Sequence, residues 1–127
     1  MKALGPPAGL PLFVYGTLLD AGFASRLLER PVEIEPARLL DFELLRLEGL
    51  SYPTVFEAPG EVVSGGLCRR LTGEDYERLD AYEGVHEGLY VRLEAHAVAG
   101  EPGSGRGAEP VFVYVVTEKT LRRYGAL

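Results

Sequence analysis

Residues 13–18 read Phe-Val-Tyr-Gly-Thr-Leu, FVYGTL. Leu12–Tyr15 is a short, continuously apolar run, the pattern of a strand buried on both faces. It stops abruptly at Gly16-Thr17. An ordinary strand-ending turn is one reading and needs no ligand. The other is a loop whose backbone holds one: Gly16 permits a tight turn and close approach. Consecutive N–H groups left unpaired at a strand end form a small anion-binding nest.

Outward from this stretch, residues 1–11 are rich in Pro and Gly and form a loose lead-in. Ala21–Arg30 places Phe23, Leu27 and Leu28 near helical spacing, and Pro31 ends that helix. Val32–Leu40 and Phe42–Leu47 read as two strands, and Tyr52–Phe56 as a short extended segment. Glu61–Leu71 reads as a strand in which Gly65-Gly66 marks a bulge or a close backbone approach. Thr72–Tyr82 is the clearest helix, with Thr72 as N-cap and Asp75 in the capping-box position. Leu89–Val98 alternates as a strand. Gly100–Glu109 is an open connection, and Val111–Val116 is a strongly apolar strand, so the two strands suggest a hairpin. A last helical turn follows Thr117. The expectation is about seven strands and two short helices: an α+β chain built on a small mixed β-barrel or curved sheet with short flanking helices, not a regular βαβ alternation.

The 127 residues suit a single domain over 1–127 with its core at about 12–117. The net charge is −6, and the paired arginines Arg69-Arg70 and Arg122-Arg123 are isolated, which argues against nucleic acid as a partner. No apolar stretch has the length of a bilayer span. Pro6, Pro7 and Pro11 interrupt the N-terminus too early for a signal-peptide core, and a single cysteine, Cys68, fits a reducing compartment. The expected location is the cytoplasm, with no membrane partner.

Within Thr72–Tyr82 and its end, Tyr76, Leu79 and Glu83 share one helical face. Glu83 extends the apolar stripe just before Gly84, a natural C-terminal cap. A carboxylate there meets the negative end of the helix dipole and an apolar surround, and both raise its proton affinity toward neutrality. The plainer reading has Glu83 slipped past the helix end into water, and spacing alone favours it. Asp80 and Glu87 are nearby acids, so a paired-carboxylate site is conceivable; Asp80 is expected on the wet face and Glu87 in a loop.

The remaining reactive side chains carry weaker signals. Cys68 reads as a small core residue. His86 and His96 lack a metal-ligand pattern, so no metal is expected. Ser25, Ser51, Ser64 and Ser104 lack a nucleophile-elbow context. The glycines form neither a P-loop nor a dinucleotide fingerprint. By elimination Glu83 is the best catalytic candidate, for proton transfer without a cofactor.

Together, FVYGTL, YPTV (52–55), VSGGLCRRL (63–71), LDAYEG (79–84), LYVR (89–92) and VFVYVV (111–116) resemble, in this order, the gamma-glutamylcyclotransferase-like family, which includes the gamma-glutamylamine cyclotransferases. The resemblance spans roughly residues 12–117. It implies a small mixed barrel with helices around it and a cyclisation of γ-glutamyl compounds to 5-oxoproline, with no cofactor. Carried over by position, Tyr15, Gly16, Thr17 and Leu18 hold the glutamyl end of a small-molecule γ-glutamyl substrate through backbone N–H groups. Glu83 becomes the general acid/base, and Tyr90 and Arg92 support the cavity wall. The segment GVHEGL (84–89) departs from relatives that often carry a proline there, and it bears on substrate choice. The competing expectation is a non-catalytic small-ligand-binding module on the same fold.

Overall fold

The computed structural model describes residues 10–48, 53–101 and 103–123, so the lead-in before Leu10, together with Ser51 and Tyr52, lies outside the described residues. Five strands form a closed barrel: β1 (Leu12–Val14), β2 (Ile34–Leu45), β3 (Thr54–Cys68), β4 (Tyr90–Ala99) and β5 (Ala108–Val116), in the spatial order β1-β3-β2-β4-β5. The β1–β5 pairing is parallel and the others are antiparallel, which makes the barrel mixed. Three α-helices accompany it: α1 (Ala21–Leu28), α2 (Gly73–Glu83) and α3 (Glu118–Arg123), with a 3₁₀ turn at Gly16–Leu19.

Five strands replace the seven expected because the two apparent breaks are the facing sides of one irregularity in the β2–β3 ladder. Val32–Leu40 and Phe42–Leu47 merge into β2, and the described part of the Tyr52–Phe56 segment, from Thr54 on, merges with Glu61–Leu71 into β3. The β2–β3 register shifts between Leu40 and Phe42, where Asp41 adopts a left-handed φ of 67°. The Gly60 N–H donates to Asp41 Oδ1 at 2.9 Å, so a side chain supplies the acceptor that the irregular ladder lacks. Asp41 and Pro59-Gly60 are turn-forming residues, and here they bend a hairpin without ending it.

Gly65-Gly66 is a close approach and not a bulge, since β2–β3 pairing runs through Ala37–Gly65 and Pro36–Gly66 without interruption. A Cβ at Gly65 would lie 2.5 Å from the Val14 carbonyl oxygen and 2.6 Å from the Phe13 ring. That glycine lets β1 seat against β3.

Strand alternation splits the core into two layers. Phe13, Leu39, Val63, Leu67, Val111 and Val113 belong to a cluster made only of strand residues, the barrel interior. Leu12, Val14, Cys68, Phe112 and Tyr114 face the other way and pack with Leu28 of α1 and with Tyr76 and Leu79 of α2. Cys68 is buried in this second layer, the small core residue expected of it.

Helix α2 has the caps its sequence prescribes. Thr72 Oγ1 accepts from the Asp75 N–H at 3.1 Å while Asp75 Oδ2 accepts from the Thr72 N–H at 2.9 Å, and Gly84 closes the helix with φ 71°. The helix runs one residue further than expected, so Glu83 is its last residue. α2 thus delivers Glu83 to the point where β1 gives way to the 3₁₀ turn.

Candidate functional site

Where β1 ends, Tyr15 is extended and Gly16 turns the chain with φ 66°, a left-handed value that costs an L side chain roughly 1 kcal/mol or more. The 3₁₀ turn follows immediately, and no side chain caps its first N–H groups. Leu18 is buried beneath it and anchors the turn. The Tyr15 hydroxyl donates to the Tyr114 carbonyl at 2.5 Å, which ties the turn to β5.

This turn forms one wall of a cavity of about 280 Å³, and the end of α2 forms another. Phe13 to Leu18, Pro53, Tyr82, Glu83, Leu89, Tyr90 and Tyr114 line it. The fold therefore gathers Tyr15, Gly16, Thr17, Leu18, Glu83 and Tyr90 around one space. Arg92 does not line it and lies behind the wall.

Glu83 carries the only formal charge among the described residues that line the cavity. It is half-buried, and no described residue hydrogen-bonds or ion-pairs with it. Its pKa is pushed up to about 7, first by burial and then by the neighbouring Asp80 carboxylate. Of the two readings left open by its spacing, the solvated one fails: Glu83 ends the helix inside the cavity wall.

Asp80 corrects another expectation. It does not sit on a wet face. Arg92 Nε donates to Asp80 Oδ1 and Arg92 Nη2 to Oδ2, both at 3.1 Å, and the Tyr114 hydroxyl also donates to Oδ1 at 2.5 Å. The Arg92 guanidinium is buried against the Tyr76 and Phe112 rings, 4.7 and 4.8 Å from their centroids. Tyr114 is the site residue sequence reasoning missed. It stands opposite Arg92 in the β4–β5 register, and only that register brings it to α2. Burial and its bond to Asp80 keep its phenol firmly protonated.

The GVHEGL segment is shaped by left-handed Gly84 and Gly88 and closed by the Leu89 N–H donating to the Gly84 carbonyl at 3.0 Å. The Thr117 N–H and the Thr120 hydroxyl both donate to the Leu89 carbonyl, fixing Leu89 as a cavity wall. His86 and His96 are exposed and stand apart from the cavity lining. No helix among the described residues is long and apolar enough to cross a membrane.

Comparison with known proteins places this geometry in context. A family model described as "Gamma-glutamyl cyclotransferase, AIG2-like" matches residues 12–126. AIG2-like protein A of Arabidopsis thaliana is 36% identical over 73 residues, which is 58% of this chain and 44% of that protein. AIG2-like protein B of the same plant is 33% identical over 83 residues, 65% of this chain and 48% of that protein. The chain thus spans a little under half the length of these curated relatives. A solution structure from Arabidopsis thaliana superposes with a TM-score of 0.76 at 25% identity, covering 99% of this chain and 73% of that one. A structure titled gamma-glutamyl cyclotransferase superposes with a TM-score of 0.71 at 20% identity, covering 92% and 80%, and shares the fold.

Proposed function

This chain belongs to the gamma-glutamyl cyclotransferase, AIG2-like family, and on that premise we propose that it cyclises a γ-glutamyl amine or γ-glutamyl amino acid to 5-oxoproline, releasing the amine. The observation that carries the reading is Glu83: a carboxylate without a partner among the described residues, in the wall of a cavity, with a pKa near 7. A structural carboxylate is paired or solvated, whereas a group that must take and return a proton near neutral pH works best in this state.

The substrate α-carboxylate sits against the backbone N–H groups of the Tyr15–Leu18 turn, whose 3₁₀ start no described side chain caps. Glu83 accepts a proton from the α-ammonium group, and the freed amine attacks the γ-carbonyl carbon of the same molecule. The new C–N bond closes a five-membered ring, and the old amide C–N bond breaks. Of the three ammonium protons, one stays on the ring nitrogen and two leave on the released amine, with Glu83 as the carrier. Because both reactants belong to one molecule, the enzyme's main task is to fold it into an attack conformation. The mostly apolar and aromatic lining suits that task, since it confines the substrate chain and keeps water away from the carboxylate.

The test is release of 5-oxoproline from a panel of γ-glutamyl amino acids, γ-glutamyl amines and γ-glutamyl-ε-lysine. Release by the wild type and not by a folded Glu83→Gln variant is expected, and the substrate ranking names the leaving group. Panel members that bind without turnover would replace this reading with a non-catalytic ligand-binding module.

A further inference from the structure

The mechanism above uses Glu83 but leaves a second acid on the same helix without a task. Asp80 precedes Glu83 by three residues, so the two carboxylates share a helical face. Stability alone does not call for two acids there. Helix α2 is already tied down by its capping box and by Asp75, to which Arg30 donates through Nε and Nη2.

The groups facing Glu83 or its helical neighbour Asp80 come from four places. Tyr15 and Thr17 come from the 3₁₀ turn and its approach, Tyr90 and Arg92 from β4, Tyr114 from β5, and Tyr82 and Asp80 from α2 itself. Two of them would naturally pair with a carboxylate. Arg92 is the one cation in this group, and both nitrogens it directs at an acceptor go to Asp80. Its third, Nη1, is buried without an acceptor. Tyr114 lines the cavity with Glu83, yet it has a single hydroxyl proton and gives it to Asp80 Oδ1.

We propose that Asp80 is a positioning residue for Glu83: it takes up the Arg92 charge and the Tyr114 proton, and so leaves Glu83 as the one unpaired carboxylate of the cavity. Were Asp80 neutral, Arg92 and Tyr114 would turn toward the remaining anion. A Glu83 held by a guanidinium and a phenol stays ionised, and an ionised, paired carboxylate is a poor carrier of protons. The direction of the Glu83 pKa shift, to which the Asp80 charge contributes after burial, agrees with this role.

The proposal rests on Glu83 being the proton carrier, and it is tested without substrate. The Glu83 side-chain carboxyl is titrated by ¹³C NMR in the wild type, in Asp80→Asn and in Asp80→Asn/Arg92→Met. The double variant removes the ion pair as a unit, so no buried charge is left alone if the single variant fails to fold. The wild-type midpoint near 7 is expected to fall by about one unit or more in Asp80→Asn. It should fall by less in the double variant, where only the Tyr114 donor is set free. A Glu83 midpoint that stays near 7 in the folded double variant overturns the proposal, because there the Asp80 and Arg92 charges leave together and a fall reports the freed Tyr114 donor, not the lost Asp80 charge. With any cleaved γ-glutamyl substrate, the acid limb of kcat/KM should move with the NMR midpoint. An absence of turnover in every protein would defeat the functional reading and leave the titration result standing.

Discussion

The two ends of helix α2 hold two carboxylates in opposite circumstances. At the N-terminal end, Asp75 is buried, yet its pKa is lowered. Burial alone would raise it, but hydrogen bonds from Arg30 and from the Thr72 backbone more than reverse that. At the C-terminal end, Glu83 gains neither a cation nor a donor among the described residues, and its pKa rises. Asp75 has the helix dipole in its favour and Glu83 has it against. One end is built for stability. The other gives up stability for a titratable group in a cavity, the compromise expected where a fold serves chemistry.

The largest effect that could break this contrast is on turnover. Glu83→Gln keeps the shape and removes the proposed proton carrier, so 5-oxoproline release should drop by roughly 10²–10⁴-fold. Asp75→Asn, in a protein that stays folded, should leave turnover near wild type. Equal losses in both would show that the two ends do not differ in the way described.

The next effect is on stability against pH. Glu83 has an ordinary value of 4.5 and a folded value of about 7, so between these pH values the folded state binds more protons than the unfolded one. Its contribution is fully present below 4.5 and is lost as pH rises through 7, a change of about 3 kcal/mol. In denaturant titrations at pH 8, Glu83→Gln should therefore be more stable than wild type by about 3 kcal/mol, with the gap closing at pH 4. Asp75 runs the other way. Its contribution is present above its ordinary value of 3.8 and is lost as pH falls through its lower folded value. Asp75→Ala should cost about 2 kcal/mol at pH 7, and less as the pH falls below that range.

The smallest effects come from the caps. Thr72→Ala should cost about 1 kcal/mol in a thermal or denaturant melt and leave turnover unchanged. Gly84→Ala imposes a side chain at φ 71° and places its Cβ 2.8 Å from Leu89 Cδ1, a cavity-wall residue. A similar stability cost is expected there, with a measurable loss of turnover as well.

What the sequence made legible follows the same division. Local signals were readable: the capping box, Gly84, the left-handed turn after Tyr15 and the apolar stripe ending at Glu83 all depend on neighbours within one helical turn. The family motifs then tied that turn and that helix to one cavity. The strand count failed because Asp41 and Pro59-Gly60 are turn-forming residues, and only the partner strand shows that the ladder continues past them. Asp80 was misplaced and Tyr114 missed for a related reason. Spacing put Asp80 one position from the apolar stripe, a place as compatible with water as with a partner. Its partners Arg92 and Tyr114 are twelve and thirty-four residues away, joined to each other by strand register alone.

The most direct measurement is the pH dependence of kcat/KM for 5-oxoproline release from the best γ-glutamyl substrate, taken between pH 4.5 and 9. An acid limb with a midpoint near 7, absent together with activity in Glu83→Gln, is the expected result. A limb centred near 4.5, or a Glu83→Gln variant that turns over at the wild-type rate, would contradict the assignment of Glu83 as the proton carrier.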